Sequence, residues 1–304
     1  MTAPQHIILG SRMSRLAQKQ AQLTQKQLLH ILPEGSKVSI KTFQTTGDAY
    51  LAGALSDIGN KGLFTKEIEH ALLRNEIHIA VHSMKDMATT LPEGLMVAAM
   101  LKRDDVRCVM LSKQARSIAT LPHNAVLGTS SLRRSVHVQH QRPDIKVVAY
   151  RGNLDRRILR LEAGEVDASL LAKAGLDRLG IELDYATPLS IDEMLPAVAQ
   201  GAIGLQCRSD DANTIDIVQQ LNCSDTYQCV DTERVMLRAL DGSCRTPIGG
   251  YATINGSDIY LRAMLANTRG SALVRHTMTS PIEEAHSLAL DMAQHLQREL
   301  ALHG

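Results

Sequence analysis

The amino-acid sequence predicts an α/β protein whose last part changes to α+β. Three observations carry this expectation. Short apolar runs alternate with helix-period patterns over roughly the first two thirds, the order after Asn222 becomes helix, turn, strands and helix, and 304 residues exceed one ordinary domain.

HIILGS (6–11) is short and apolar and reads as a buried strand. SRLAQKQAQLTQKQLLHIL (14–32) then places Leu16, Leu23, Leu28 and Ile31 near helical spacing, and Pro33 stops it. VSIKTFQT (38–45) reads as a strand, GLFTKEIEHALLRNE (62–76) as a helix, and IHIAVHS (77–83) and LMVAAML (95–101) as strands. A second unit of this kind begins near Val106, with strands at VMLS (109–112), AVLGTSS (125–131) and IKVVAY (145–150). Its helical patterns lie at LRRSVHVQHQ (132–141) and around 154–163, and DASLLAKAGLDRLG (167–180) continues it. Such alternation implies mostly parallel sheets covered by helices. The C-terminal part offers a short helix (231–240), a Gly-rich turn (241–250), strands at YATI (251–254) and IYLRAML (259–265), and a helix at 283–300.

Composition narrows the function classes. With no Trp, two Phe and six Tyr, the chain lacks the stacking platforms of a single-strand nucleic-acid binder. A net charge of +1 supplies no bulk field toward DNA or an acidic membrane. MTAPQHIILGSR has no basic stretch followed by a long apolar run, so no secretory signal is expected. Five cysteines without a CxxC pair fit reduced thiols in a cytoplasm better than a disulfide framework or a zinc site. The expected partners therefore exclude nucleic acid and membrane, and four of the cysteines read as small buried hydrophobes.

In open α/β sheets, ligands gather at the carboxyl ends of strands. LGSR (9–12), NKG (60–62), HSMKD (82–86), GTSSLRR (128–134) and RGN (151–153) all fall at such places. Their Arg, Lys and hydroxyl groups predict a cleft between two α/β domains that takes a ligand with several negative charges. GTSSLRR adds hydroxyls and amides at a helix start, where anions are favoured. Asp86 in HSMKD would face these cations and stay ionised, which suits it to stabilise positive charge developing on a substrate. His82 reads as a satisfied core residue. Cys244, in LDGSCRTPIGGYA (240–252), sits on a Gly-flanked loop open to covalent chemistry. No HExxH, GxxxxGK[ST] or GxGxxG occurs, which disfavours metal, phosphoryl-transfer and dinucleotide chemistry. A non-catalytic two-lobed anion-binding protein is the other class that such a fold would serve.

With PAVAQGAIG (196–204) and LAKAGLDRLG (171–180), these segments occur in one order and resemble the porphobilinogen deaminase family nearly end to end. The resemblance implies two α/β domains like the halves of a periplasmic binding protein, plus a smaller C-terminal α+β domain. Domain 1 would comprise 1–101 plus 202–219, domain 2 106–197, and domain 3 223–304. The implied activity is a transferase that deaminates porphobilinogen and polymerises four molecules into hydroxymethylbilane, in tetrapyrrole biosynthesis. The implied cofactor is a dipyrromethane held by a thioether to Cys244, with Asp86 as the catalytic residue, no metal, and a monomeric state. The implied cofactor and substrate contacts are Arg12, Ser14, Lys61, Ser83, Lys85, Thr129, Ser130, Ser131, Arg133, Arg134, Arg151, Gly152, Arg157, Arg178 and Gln200. Residues 46–60 are the expected flap. The sequence departs from the family pattern at Arg15, Asp57, Met87–Ala88, Lys173 and Cys108, the last at a position that is often Asp.

Overall fold

The computed structural model describes residues 5–46, 64–242, 246–268 and 270–303. Cys244, Lys61, Asp57 and all but the first residue of the expected flap lie outside them. The elements begin with β1 (His6–Arg12), α1 (Arg15–Ile31), β2 (Lys37–Phe43), α2 (Lys66–Leu73), β3 (Ile79–Ser83) and β4 (Leu95–Met100). Then come β5 (Cys108–Leu111), β6 (Val126–Gly128), α3 (Leu132–Gln141), β7 (Lys146–Val148), α4 (Leu154–Glu162), β8 (Ala168–Ala172), α5 (Lys173–Leu179) and β9 (Ala186–Pro188). The remainder is β10 (Ile203–Arg208), α6 (Ala212–Gln219), α7 (Ser224–Ala239), β11 (Ile248–Asn255), β12 (Asp258–Ala266), β13 (Leu273–Pro281) and α8 (Ala285–His303).

One compact unit comprises Met1–Asp104 with Ala202–Tyr227. Its sheet has the order β2-β1-β3-β10-β4, with β10 antiparallel to both neighbours and β1 parallel to β2 and β3. The strands are apolar because both faces are covered, with Leu9, Ile79 and Leu205 fully buried. Helix α1 adds Ala21 and Leu28 to the same core. Its start is set by Ser14, whose Oγ accepts the Ala17 N–H at 3.3 Å.

The second unit comprises Asp105–Gly201 with Gln228–Gly304 and holds two sheets. The order β7-β6-β8-β5-β9 repeats the first pattern, with β5 as the antiparallel strand. The other sheet is the antiparallel β11-β12-β13, and α8 lies against β12 and β13. Two sheet-and-helix domains and a small C-terminal α+β part are thus present.

Three strands escape the sequence reading. Strand β9 has only three residues, β10 follows a loop with no helical signal before it, and β13 (LVRHTMTSP) is an edge strand without one fully buried residue. Helix α7 begins at Ser224, not at 231, because its buried face mixes Thr226, Thr232, Glu233 and Arg234 with Cys229, Val230 and Met236, so no continuous apolar stripe announces its start.

Fully buried Glu233 anchors a loop. Its Oε2 accepts the Ala199 N–H at 2.6 Å and its Oε1 the Ala252 N–H at 2.8 Å. Ala199 has φ of 61°, a conformation that needs such support in a residue other than glycine. Glu233→Ala leaves two buried N–H groups without these acceptors and is expected to cost about 2–6 kcal/mol. Urea unfolding followed by circular dichroism measures this; a midpoint equal to that of the wild type would show that the clamp is dispensable.

Candidate active site

In the first unit, β1 and β3 end side by side. Arg12 is the last residue of β1, and its guanidinium lies 4.4 Å from the centroid of the Phe64 ring. Ser83 ends β3 and exchanges hydrogen bonds with Gln20 of α1, receiving Nε2–H at 2.8 Å. A 3-10 turn follows at Met84–Asp86. Met84 is buried and its N–H donates to the Ala202 carbonyl at 3.0 Å, while Met87 is buried just beyond the turn. The two methionines fix the turn from inside and leave Lys85 and Asp86 exposed. His82 is a core residue, as expected: it lies 2.9 Å from Gln206 Oε1, and burial pushes its pKa down to about 4, so it is neutral. Ser14, expected to contact the ligand, caps α1.

In the second unit the carboxyl ends of the parallel strands β6, β7 and β8 are adjacent. Gly128 ends β6 against Tyr150, where a Cβ would fall 2.6 Å from the ring. The three hydroxyls that follow act first on the protein itself. Thr129 Oγ1 accepts the Ser131 N–H at 3.2 Å, Ser130 Oγ the Tyr150 N–H at 2.9 Å, and Ser131 Oγ caps α3 by accepting from Arg134 N. Beyond β7, Gly152 has φ of 128° between Arg151 and the α4 cap Asn153, whose Oδ1 accepts the Arg156 N–H at 2.9 Å. Tyr150 O–H donates to the Arg157 carbonyl at 2.8 Å, and Arg160 stacks on its ring and donates to the Arg151 carbonyl. Arg151 and Arg157 are half-buried on this rim.

Arg133 and Arg134, expected to contact cofactor and substrate, are 4% and 7% exposed. Arg133 Nη1 donates to the Leu195 carbonyl and Nη2 to Cys108 Sγ at 3.6 Å. Arg134 Nη1 donates to the Leu170 carbonyl at 2.7 Å, and its Nε is buried without an acceptor. Gln200, 1% exposed, donates from Nε2 to the Val106 carbonyl at 2.6 Å and to Cys108 Sγ at 3.6 Å. Arg178 Nη2 donates to the Gly201 carbonyl at 2.6 Å. Gln200 and Arg178 therefore shape the loop after Pro196. Cys108 was read as a small hydrophobe, but burial pushing its pKa up is outweighed by Arg134 and Arg133, which bring it to about 6. Spacing along the chain gives no sign of this, because α3 supplies both arginines from a distant segment. Cys207 does behave as a hydrophobe, with burial pushing its thiol up to about 11.

These groups suit a ligand rich in carboxylates. Guanidinium forks match carboxylate geometry, and the orphaned Arg134 Nε is a buried donor in want of an acceptor. A dipyrromethane with acetate and propionate arms fits that donor set. Among the described residues no cluster of His, Cys, Asp or Glu could hold a metal ion, and no helix is long and apolar enough to cross a membrane.

Comparison with known proteins agrees. Residues 7–216 match the family model described as porphobilinogen deaminase, dipyromethane cofactor binding domain, and 227–298 match porphobilinogen deaminase, C-terminal domain. Porphobilinogen deaminase of Paracoccus denitrificans is 44% identical over 300 residues, covering 98% of this chain and 96% of that protein. The chloroplastic porphobilinogen deaminase of Oryza sativa subsp. japonica is 46% identical over 281 residues, covering 91% and 78%. The solved periplasmic aliphatic sulphonate binding protein SsuA from Escherichia coli aligns loosely, at 13% identity and TM-score 0.41 over 79% and 71% of the two chains, too distant to support an argument. With matched segments on both sides of residue 220 and relatives alike over nearly the full length, the chain belongs to the porphobilinogen deaminase family.

Proposed function

We propose that this chain condenses four porphobilinogen molecules head to tail into hydroxymethylbilane, with Asp86 as the catalytic group and Cys244 as the attachment point of a dipyrromethane. The observation that carries the reading is Asp86 held out on a turn pinned by buried Met84 and Met87, in a chain of this family. A bound dipyrromethane supplies the primer from which the product grows. The protein's task is to bind carboxylates and to stabilise positive charge. As the aminomethyl C–N bond of porphobilinogen breaks, ammonia departs with the electron pair and the pyrrole becomes cationic. The Asp86 carboxylate accepts the pyrrole N–H and offsets that charge. Arg12, Lys85, Arg151 and Arg157 receive acetate and propionate groups, each contact contributing roughly 1.5–3 kcal/mol. Thr129, Ser130, Ser131, Gly152, Arg178 and Gln200 shape the loops that present these cations, and Ser14 and Ser83 do so through α1. We further assign three domains, 1–101 with 202–219, 106–197, and 223–304, and a monomeric enzyme of the cytoplasm.

Intact mass before and after brief exposure to porphobilinogen tests this. The expected result is a native mass exceeding the chain by two linked pyrroles, followed by stepwise increments and release of ammonia. An unmodified mass that persists after incubation with substrate and with preformed product would overturn the assignment.

A further inference from the structure

We propose that Cys108 is a buried thiolate counter-ion that holds Arg133 and Arg134 as a receptor for one ligand carboxylate, making it a positioning residue for the condensation. The role in condensation rests on the function proposed above; the charge state of the sulfur does not.

Cys108 opens β5 opposite Ala172 of β8 and has no exposed surface. Its Sγ receives N–H groups from Arg133 Nη2 and Gln200 Nε2, both at 3.6 Å. Among the described residues, neither Arg133 nor Arg134 pairs with a carboxylate; their other acceptors are the carbonyls of Leu195 and Leu170. Arg134 repels Arg133 in the interior, both have lost their water, and arginine does not relieve this by losing a proton. A neutral thiol is a weak acceptor and gives such a pair little. A thiolate supplies a full negative charge and uses both N–H groups that point at it.

Among the described residues, Cys108 is the one anionic neighbour that acts on Arg133. His137, on the same helix as the arginines, is fully buried, and burial together with Arg133 pushes its pKa down to about 2, so it adds no charge. Arg107, the residue before Cys108, is bound to Asp105 at 2.6 Å, and Lys173, beyond the facing end of β8, to Asp177 at 2.7 Å. Two guanidiniums and one thiolate leave one net positive charge. Arg134 Nε, buried without an acceptor, is the donor left over. One charge and one spare donor are what a single incoming carboxylate requires.

The sign of the pH dependence follows. The thiol pKa is lowered in the folded chain, so the anion and the stability it gives are present above the ordinary thiol range and lost as pH falls through about 6. The arginine pair then loses its counter-ion and its alignment. The acid limb of kcat/KM should reflect this group.

The test uses the full-length holoenzyme labelled with carbon-13 at cysteine Cβ. Cys108→Ser identifies the resonance by its loss from among the five cysteines. The expected result is a Cys108 signal that titrates near pH 6. Cys108→Ser should lower kcat/KM for porphobilinogen about tenfold to a hundredfold, the range of one charge-assisted hydrogen bond. Cys108→Asp should restore most of it and move the acid limb downward, because a carboxylate stays ionised to about pH 4; a purely structural thiol would show neither effect. A wild-type enzyme that turns over while its Cys108 signal stays constant between about pH 5 and pH 8 overturns the proposal, whether or not the variants fold. A wild-type chain that consumes no porphobilinogen overturns the function reading and this catalytic role with it, while the titration still decides the charge on the sulfur.

Discussion

Cys244→Ser is expected to give a folded chain that carries no covalently held pyrrole and forms no hydroxymethylbilane. A thiolate is the nucleophilic form of cysteine and is within reach near neutral pH, whereas a serine hydroxyl needs a partnered base to react. The substitution should not disturb the fold, because the described flanks of the loop are anchored independently. Gly242 N–H donates to the Leu237 carbonyl at 2.9 Å, and Ala266 N–H to the Pro247 carbonyl at 3.2 Å. Nor can another cysteine take over: Cys108, Cys207 and Cys229 are buried, and Cys223 is half-buried. Intact mass and a porphobilinogen consumption assay on the same sample provide the check. A variant that still carries the pyrrole mass, or still turns over, would remove Cys244 from the mechanism.

Asp86→Ala should fold normally and lose about a thousandfold in kcat, the effect of removing one well-placed electrostatic group. Its KM should change far less, since the carboxylate acts on charge that develops only as ammonia leaves. The turn does not depend on it: Met84 and Met87 are the buried residues, and the N–H of Met87 returns to the Met84 carbonyl at 3.2 Å. Thermal unfolding should therefore match the wild type, separating a chemical defect from a structural one. Single-turnover ammonia release is the measurement. A rate within tenfold of wild type would move the catalytic role to another group.

Local patterning made most of the fold legible. The helix over 132–141 is observed at those residues, and β1, β3 and β4 fall within two residues of their expected bounds. Apolar runs covered on both faces advertise themselves. What stayed hidden has polar residues where the pattern seeks apolar ones, as in the Thr-, Glu- and Arg-bearing face of α7, or lacks burial, as in the edge strand β13. The site divides in the same way. Asp86, Arg12 and Arg151 could be placed because strand ends can be read from sequence. The inward turn of Arg133 and Arg134 could not, because it depends on Leu195, Leu170 and Cys108, which reach them only through the tertiary fold.

The two five-stranded sheets are completed at different times during synthesis. Every strand of the β7-β6-β8-β5-β9 sheet comes from one continuous stretch, Cys108 to Pro188. The amino-terminal sheet must wait, since β4 joins it only through β10, and β10 is Ile203–Arg208. On the ribosome, the middle of the chain can therefore close its sheet while β4 is still without the strand that joins it to β3. The usual amino-first order of folding is reversed for these two bodies. A chaperone that guards nascent chains would meet the apolar strands at the amino terminus, exposed for the time needed to translate about a hundred further residues.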